Sequence, residues 1–213
     1  MGYDSFGSFD ANPAWLVAQK LNSTKVGNME LSGVPLPADF YKAPKVIEKL
    51  LLQHKPDIVI GMGVYPKEDA IRVEKVGINL MDYRWIDALG SPPEDVPDSS
   101  GNKPEQEPII AGGPVAYFAS LPVEEIVQRI RAEGIPAHSS FTAGTHCCNL
   151  CLYTTLHTIA IQKLRTLGGY IHLPLLPSQA MTMHNMPSLP LDVMVRAVKI
   201  AIEITVEKLN GKS

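Results

Sequence analysis

The 213-residue chain carries 19 basic and 22 acidic side chains, so its formal net charge at pH 7 is −3. The basic residues form no run, and this charge pattern argues against nucleic acids and anionic membranes as partners. Apolar residues make up 45% of the chain, which is enough for a sizeable core without disulfides or structural metal. We expect one domain covering residues 1–213.

The hydropathy pattern and the cysteines predict the compartment. No apolar run approaches the roughly 20 residues of a transmembrane helix, and no charged segment followed by an apolar one marks a secretory leader. The three cysteines are clustered between Cys147 and Cys151, where they form no useful disulfide framework. We therefore expect a cytoplasmic protein.

Predicted helices and strands alternate in the first half of the chain. Asn12-Pro13 is typical of a helix start, and residues 29–36 predict a short strand. Residues 39–55 predict a helix. Its expected inward-facing positions are Val46, Ile47 and Leu50. Residues 56–63 (PDIVIGMG) predict a buried strand, whose two glycines are too small a fragment to indicate a dinucleotide-binding fingerprint.

The second half continues this alternation. Residues 70–82 predict a strand or hairpin, residues 86–108 a long surface loop, and residues 121–136 an amphipathic helix that ends at Gly134. The apolar face of that helix comprises Val123, Ile126, Val127 and Ile130. A strand, a cysteine-rich helix, a further strand and a long closing helix follow. This order predicts an α/β fold, a three-layer α/β/α sandwich with a mostly parallel mixed sheet and a site beyond the strand ends.

The segment SSFTAGTHCCNLCLY holds every cysteine of the chain directly after a turn containing Gly144. A cysteine at the start of the following helix would lie where the helix dipole and unpaired amides favour a thiolate. Helical spacing makes Cys151 a core residue. The sequence also allows two other interpretations of the three cysteines. They could all be buried apolar residues, or they could form a metal site, for which a second ligand pair at zinc spacing is missing. We expect no metal.

Two further stretches supply partners for a nucleophilic thiol. GGYIHLPLLPSQ places His172 near the exit of a buried strand, and AIRVEKVGINL places Glu74 in another apolar run. An unpaired carboxylate would be costly to bury there. A cysteine, a histidine and a carboxylate together can activate a thiol, orient the imidazole and transfer a proton to a leaving group.

Three of these motifs, TAGTHCCN, GYIHLP and IRVEKVGIN, have the order and spacing of the pyroglutamyl peptidase I (pyrrolidone carboxyl peptidase) family of cysteine peptidases. The chain resembles that family from about Gly2 to about Leu209. The segments GYDSFGSFDANPAW and GGPVAYFASLP resemble further landmarks of the family. The resemblance implies a phosphorylase/hydrolase-like sandwich, no cofactor, and a symmetric homo-oligomer, a dimer or tetramer. We expect its contacts at segments 85–93 and 181–191.

The resemblance also assigns roles to residues. Cys148 corresponds to the family nucleophile, His172 to the histidine and Glu74 to the glutamate. The expected substrate-binding residues are Tyr3 and Phe6, which clasp the lactam ring, Arg84 near the oxyanion, and His146 and Cys147 beside the nucleophile.

Several positions depart from the family pattern. Glu68 stands where the family usually has arginine, and Ser5 replaces a proline. Residues 85–95 form an insertion. The family's opening apolar strand has no counterpart before Gly2, so we expect that strand to be missing. His146 replaces an apolar or aromatic residue.

His146 allows two interpretations. In the first, its ring lines the pocket and adds an ionisation to the acid limb of activity; in the second, it turns away and is solvated or bonded to backbone.

For the whole chain, the leading hypothesis is an exopeptidase that removes N-terminal pyroglutamate from peptides. The alternative is a catalytically weak binding or regulatory homologue on the same scaffold.

Overall fold

The computed structural model describes residues 1–4, 11–85, 94–183 and 186–211. The strands in these ranges are β1 (Gly2–Tyr3), β2 (Lys25–Val26), β3 (Met29–Glu30), β4 (Pro35–Leu36), β5 (Ile58–Val64), β6 (Ile71–Glu74), β7 (Val76–Ile78), β8 (Arg84–Trp85), β9 (Glu94–Asp95), β10 (Ala116–Phe118), β11 (Ala137–Ser140) and β12 (Leu167–Leu173). The helices are α1 (Pro13–Leu21), α2 (Ala43–His54), α3 (Val123–Ala132), α4 (Cys147–Ile161), α5 (Pro177–Ala180) and α6 (Leu191–Leu209).

The main sheet has the strand order β11-β6-β12-β5-β1-β4. Strands β12, β5, β1 and β4 run parallel to one another, whereas β6 is antiparallel to β12 and parallel to β11. The sheet is therefore mixed and mostly parallel, which confirms the predicted fold class.

Helices cover both faces of this sheet. On one face, α1, α3 and α6 pack around an aliphatic core that includes Ile71, Ile126 and Ile171. On the other face, α2 and α4 enclose a second core that includes Tyr3, Cys151 and Tyr170. Helix α4 is buried around most of its circumference, because α2 covers its outer side while β5, β7 and β12 contact its inner side.

Local signals placed the helices well. The Asn12 side chain caps α1 by accepting a hydrogen bond from the Ala14 amide at 3.0 Å, with Pro13 at the first helical position. All four predicted apolar positions of α3 are buried, and Gly134 follows the helix with a φ of +74°, which a residue without Cβ adopts easily. These predictions are confirmed.

Three other expectations need correction. The inward side of α2 is formed by Ala43, Ile47 and Leu51, because residues four apart share a helix face, while Val46 and Leu50 lie at its margin. Residues 29–36 form two short strands instead of one. Strands β6 and β7 are not a hairpin, since β7 pairs with β10 outside the main sheet.

The expected loss of the family's opening strand is only partly met. The two-residue strand β1 takes a central place between β5 and β4, and the Met1 ammonium donates to the Ile60 carbonyl at 2.8 Å. A cavity of about 480 Å³ adjoins this short strand; its lining includes Met1, Val34, Ile58, Ile60 and Ile202. Short as it is, β1 keeps the sheet continuous from β5 to β4.

Candidate active site

The site lies on the sheet face that is covered by α4. Strand pairing places Gly63 of β5 opposite His172 of β12, and His172 opposite Arg72 of β6. Two residues earlier in β5 and β12, Gly61 lies opposite Tyr170. Tyr170 also lies opposite Glu74, which follows Arg72 by two residues in the antiparallel strand β6. Paired and alternate residues of a sheet share one face, so these side chains form two adjoining rows.

The Glu74 carboxylate and the His172 imidazole meet across this pairing. Nδ1 of His172 lies 2.8 Å from Oε1 of Glu74, and both residues are buried. An ionised carboxylate only accepts hydrogen bonds, so Nδ1 carries the proton and the other ring nitrogen is left for chemistry. Their contact spans 98 residues of sequence, which is why no local pattern could establish it.

Arg72 binds the same carboxylate oxygen as His172. Its Nε donates to Oε1 of Glu74 at 2.8 Å, and its Nη2 donates to the Thr142 carbonyl in the loop before α4. The guanidinium also lies 3.8 Å from Glu68 and over the Tyr65 ring, 4.6 Å from its centroid. Arg72 therefore connects the carboxylate to the loop that leads into α4.

Cys148 reaches the site from the first turn of α4. It is the second residue of the helix, half-buried, and its N-terminal neighbours include Gly144 with a φ of +75°. The first intrahelical bond is donated by the Leu150 amide to the His146 carbonyl at 3.1 Å, so the amides before it point out of the helix end. Such amides and the helix dipole stabilise negative charge at the sulfur and at an oxyanion beside it.

Asn149 fixes the helix start from behind. Its buried side chain donates to the Ile78 and Leu80 carbonyls and accepts from the Ile78 amide, each at 2.9 Å. These three bonds hold the first turn of α4 against the β7 segment. The position of Cys148 over the sheet depends on this attachment.

His172 lies beside Cys148 as well as bonding to Glu74, and both neighbours act on its pKa. Complete burial alone would lower the pKa of the imidazole, but its interactions with Cys148 and with the Glu74 carboxylate outweigh burial and raise the pKa to about 9. The imidazolium is thus the stable form of His172 up to about pH 9. A thiol, an imidazole and a carboxylate thus lie in the order that thiol activation requires.

The whole chain resembles known proteins. The model of the pyroglutamyl peptidase family matches residues 1–208. The chain belongs to this family. A pyrrolidone-carboxylate peptidase of Pyrococcus furiosus is 36% identical over 212 residues, covering 98% of this chain and 97% of the relative. A namesake from Bacillus velezensis is 38% identical over 200 residues, covering 94% and 87%.

Solved structures of the family share the fold. A mutant pyrrolidone carboxyl peptidase from Pyrococcus furiosus superposes with a TM-score of 0.90 at 36% identity, covering 98% of this chain and 97% of that chain. The crystal structure of Pf-PCP(1-204)-C gives the same TM-score at 35% identity, covering 100% of this chain and 97% of that chain. The family resemblance inferred from the three motifs is confirmed.

The other two cysteines are buried in the core beneath α4. Burial raises the pKa of the Cys151 thiol to about 12 and that of Cys147 well above its usual range. Both thiols stay protonated, which confirms that Cys151 is a core residue. The Cys147 side chain also packs in this core, so the contact expected between it and substrate has no support in its placement.

Two of the expected substrate-binding residues are engaged elsewhere in the protein. The Tyr3 ring is buried, and its hydroxyl donates to the Cys147 carbonyl at the start of α4. Arg84 binds the Asp82 carboxylate through two nitrogens at 2.9 and 2.7 Å, while the Asp82 amide donates to Thr145 near the same helix. Tyr3 thus contacts the N-terminal end of α4 directly, and Arg84 is connected to it through Asp82. The roles of both residues toward substrate stay predictions.

Of the other two predicted substrate-binding residues, His146 and Phe6, the structure describes only His146. The His146 ring bonds through Nε2 to the Val96 carbonyl at 2.7 Å and packs edge-on against Phe40. Burial lowers the pKa of this imidazole. This geometry agrees with the second interpretation, a histidine bonded to backbone. Phe6 lies outside the described residues.

Sequence reasoning missed three positions of this site. Gly61 and Gly63 leave the space in which α4 approaches β5: a methyl group on Gly61 would lie 2.9 Å from the Cys151 sulfur, and one on Gly63 2.9 Å from the Cys148 sulfur. Arg72 has no sequence signal beyond its charge two positions before Glu74. The repeated glycine at alternate strand positions was an available signal, because it marks close approach of another element.

The described residues offer no alternative centre. Within them, no group of three or more His, Cys, Asp or Glu side chains is placed to hold a metal ion. In the same ranges, no helix has both the length and the apolar character to cross a membrane. Cys148, His172 and Glu74 therefore form the candidate active site.

Proposed function

We propose that this chain is a cysteine exopeptidase that hydrolyses the peptide bond after an N-terminal pyroglutamate. The observation that carries the proposal is the placement of Cys148, at the start of α4, beside His172, whose imidazole is hydrogen-bonded to Glu74. The names of its relatives, pyrrolidone-carboxylate peptidases, supply the substrate class. Family membership and site chemistry thus point to one reaction.

The proposed reaction proceeds through an acyl-enzyme. The Cys148 thiolate attacks the pyroglutamyl carbonyl carbon, and the resulting oxyanion is stabilised at the N-terminal end of α4. The His172 imidazolium donates its proton to the leaving amine, and the C–N bond breaks. Neutral His172 then takes a proton from water, whose oxygen attacks the thioester and releases pyroglutamate and the thiolate. Glu74 orients the imidazole throughout.

The substrate fits a site of this character. Pyroglutamate has no free N-terminal amine, so its pocket needs no carboxylate partner. Ring packing and a few hydrogen bonds to the lactam are sufficient for recognition, and the lactam carbonyl distinguishes it from proline.

A fluorogenic pyroglutamyl amide tests the proposal, with the matching prolyl amide as control substrate. We expect the parent to cleave only the pyroglutamyl amide, and Cys148→Ser to lose acyl transfer while keeping its fold, because a hydroxyl ionises far less readily than a thiol. Cys147→Ser and Cys151→Ser should retain activity. Activity that is lost in Cys151→Ser and kept in Cys148→Ser would show the nucleophile assignment to be wrong.

The same assay separates the alternative function. A chain that binds pyroglutamyl peptides but turns none over would be a binding or regulatory homologue. A cytoplasmic location and a homo-oligomeric assembly also stay proposals. Light scattering over a wide concentration range tests the assembly. Of its expected contact segments, residues 86–93 and 184–185 lie outside the described residues.

A further inference from the structure

A buried phenol lies directly beneath the proposed nucleophile. Tyr170 of β12 is fully buried, and its hydroxyl has no hydrogen-bond partner among the described residues. An unpaired hydroxyl in a protein interior costs free energy, so native structures rarely leave one without a purpose. The mechanism above gives this hydroxyl no role.

The Tyr170 hydroxyl and the Cys148 sulfur share one small space over Gly63. A methyl group built on Gly63 would lie 2.3 Å from the hydroxyl oxygen and 2.9 Å from Sγ of Cys148. The absence of a side chain at Gly63 is what lets the two groups converge. The Tyr170 ring also packs edge-on against His172, with centroids 5.0 Å apart, so phenol and imidazole approach the sulfur together.

The other titratable groups around this space already have partners or stay neutral, and of their buried nitrogen and oxygen atoms in the described part of the chain only Oε2 of Glu74 lacks a hydrogen bond. They come from every element packed against Tyr170: the Met1 ammonium and Tyr3 from the β1 segment, Cys151 from α4, Glu74 from β6 and His172 from β12 itself. Met1 and Tyr3 donate to backbone carbonyls, Cys151 stays a protonated thiol, and Glu74 and His172 bind each other. Among these groups, Tyr170 is a donor whose hydroxyl hydrogen has no acceptor within the described ranges.

Tyr170 also remains a donor over the working pH range. Burial first, and then the neighbouring Cys148 charge, raise the pKa of its phenol well above 10. A protonated phenol beside a sulfur anion supplies a charge-assisted hydrogen bond, which is stronger than a bond between neutral groups.

We propose that Tyr170 is a further catalytic residue, whose hydroxyl donates a hydrogen bond to Sγ of Cys148 and stabilises the thiolate. The inference rests on the proposed role of Cys148. Sγ then has two donors, His172 and Tyr170. The thiolate forms at lower pH, and each thiolate is a weaker nucleophile because part of its charge is held by the phenol.

Alkylation of Cys148 by iodoacetamide as a function of pH tests this without any substrate. In Tyr170→Phe, which removes only the hydroxyl, we expect the midpoint of the acid limb to rise by about one pH unit. The plateau rate constant should increase about threefold, because thiol nucleophilicity grows with basicity. Mass spectrometry of the peptide confirms that Cys148 is the labelled residue.

Tyr153→Phe is the matched control. Tyr153 is another buried tyrosine and lies on α4, the helix of Cys148. Its hydroxyl donates to the Pro114 carbonyl at 2.6 Å, away from Cys148. Its alkylation profile should match that of the parent. Superimposable profiles for parent and Tyr170→Phe, or equal changes in both variants, would overturn the role of Tyr170 alone. A Cys148 that resists alkylation until the chain unfolds would overturn the proposed function and this inference together.

If Tyr170→Phe fails to fold, 3,5-difluorotyrosine at position 170 replaces it. Fluorination makes the phenol a stronger donor, so the acid-limb midpoint should move to lower pH by about half a unit. An unchanged midpoint in a folded, fluorinated protein would overturn the proposal.

Discussion

The two faces of the central sheet are built from the same three strands, β5, β6 and β12, but carry different kinds of side chain. Toward α1, α3 and α6 the strands present buried aliphatic residues, namely Ile60, Met62, Ile71, Val73, Ile171 and Leu173. Toward α4, alternate residues are Gly61, Gly63, Arg72, Glu74, Tyr170 and His172. The alternation of a strand thus separates the residues that stabilise the sheet from those that carry the proposed chemistry.

Burying the polar face of the sheet costs free energy. Glu74 is 0% exposed and Arg72 5%, so both charges have left water and depend on each other. Removing one member of such a pair typically costs about 3–5 kcal/mol, because the other charge is left unpaired. Burial of the aliphatic face offsets this cost, at about 25 cal/mol per Å² of apolar surface.

The largest expected effect contrasts adjacent residues on the two faces. His172→Ala should lower kcat/KM by about 10²–10⁴-fold, since it removes the proton carrier. Ile171→Val, on the opposite face, should leave kcat/KM unchanged and lower the free energy of unfolding by about 0.5–1.5 kcal/mol. Kinetics on a pyroglutamyl amide and urea denaturation measure the two quantities. Loss of turnover in the valine variant would show that the faces are not independent.

The next effect concerns the orienting carboxylate. Glu74→Gln should reduce kcat by about 10- to 100-fold, less than His172→Ala, because an orienting group contributes less than the proton carrier. The His172 imidazolium, whose pKa is raised to about 9, is lost as pH rises through that value, so activity should fall there. Glu74 contributes to this increase, and its removal should move the basic limb of kcat/KM to lower pH. An unmoved limb would leave Glu74 with a purely structural role.

The sequence predicted one part of this arrangement and not the other. Local patterns such as the Asn12 cap, the apolar face of α3 and the small-residue turn before α4 located the elements, because those signals depend on neighbouring residues. The order of the main sheet could not be predicted, since it depends on pairings such as Tyr170 with Glu74 that lie far apart in sequence. The motifs identified Cys148, His172 and Glu74 as candidates, and the fold places the three side chains near one another.

The same limit applies to the placement of individual side chains. Arg72 reads locally as a charge next to Glu74, and its contact with the Thr142 carbonyl is visible only in three dimensions. Cys147 and Tyr3 were assigned to the pocket by resemblance, but the cysteine side chain and the tyrosine ring lie in the core beneath α4. A resemblance transfers positions along the chain and leaves side-chain direction undetermined.

A smaller effect is expected at the glycines that open the polar face. Gly63→Ala would bring a methyl group 2.9 Å from the Cys148 sulfur, and we expect about a tenfold loss of kcat/KM with about 1–3 kcal/mol of lost stability from overpacking. Gly61→Ala is the matched control, because its methyl meets Cys151 and the Tyr170 ring instead. It should lose similar stability and less activity. Equal activity losses would mean that overpacking acts through the helix as a whole.

The smallest effect is expected for His146→Phe. The ring donates to the Val96 carbonyl and packs against Phe40, so a phenylalanine preserves the aromatic contact and removes only the hydrogen bond. The carbonyl would lose its partner, and we expect the free energy of unfolding to fall by about 1 kcal/mol. Since burial already lowers the pKa of this imidazole, the neutral form prevails near neutral pH in the parent. The kcat/KM profiles of parent and variant should therefore superimpose from pH 6 to pH 9, and substrate preference should not change. An acid limb that loses one ionisation in His146→Phe would instead support the first interpretation, in which this histidine titrates within the pocket.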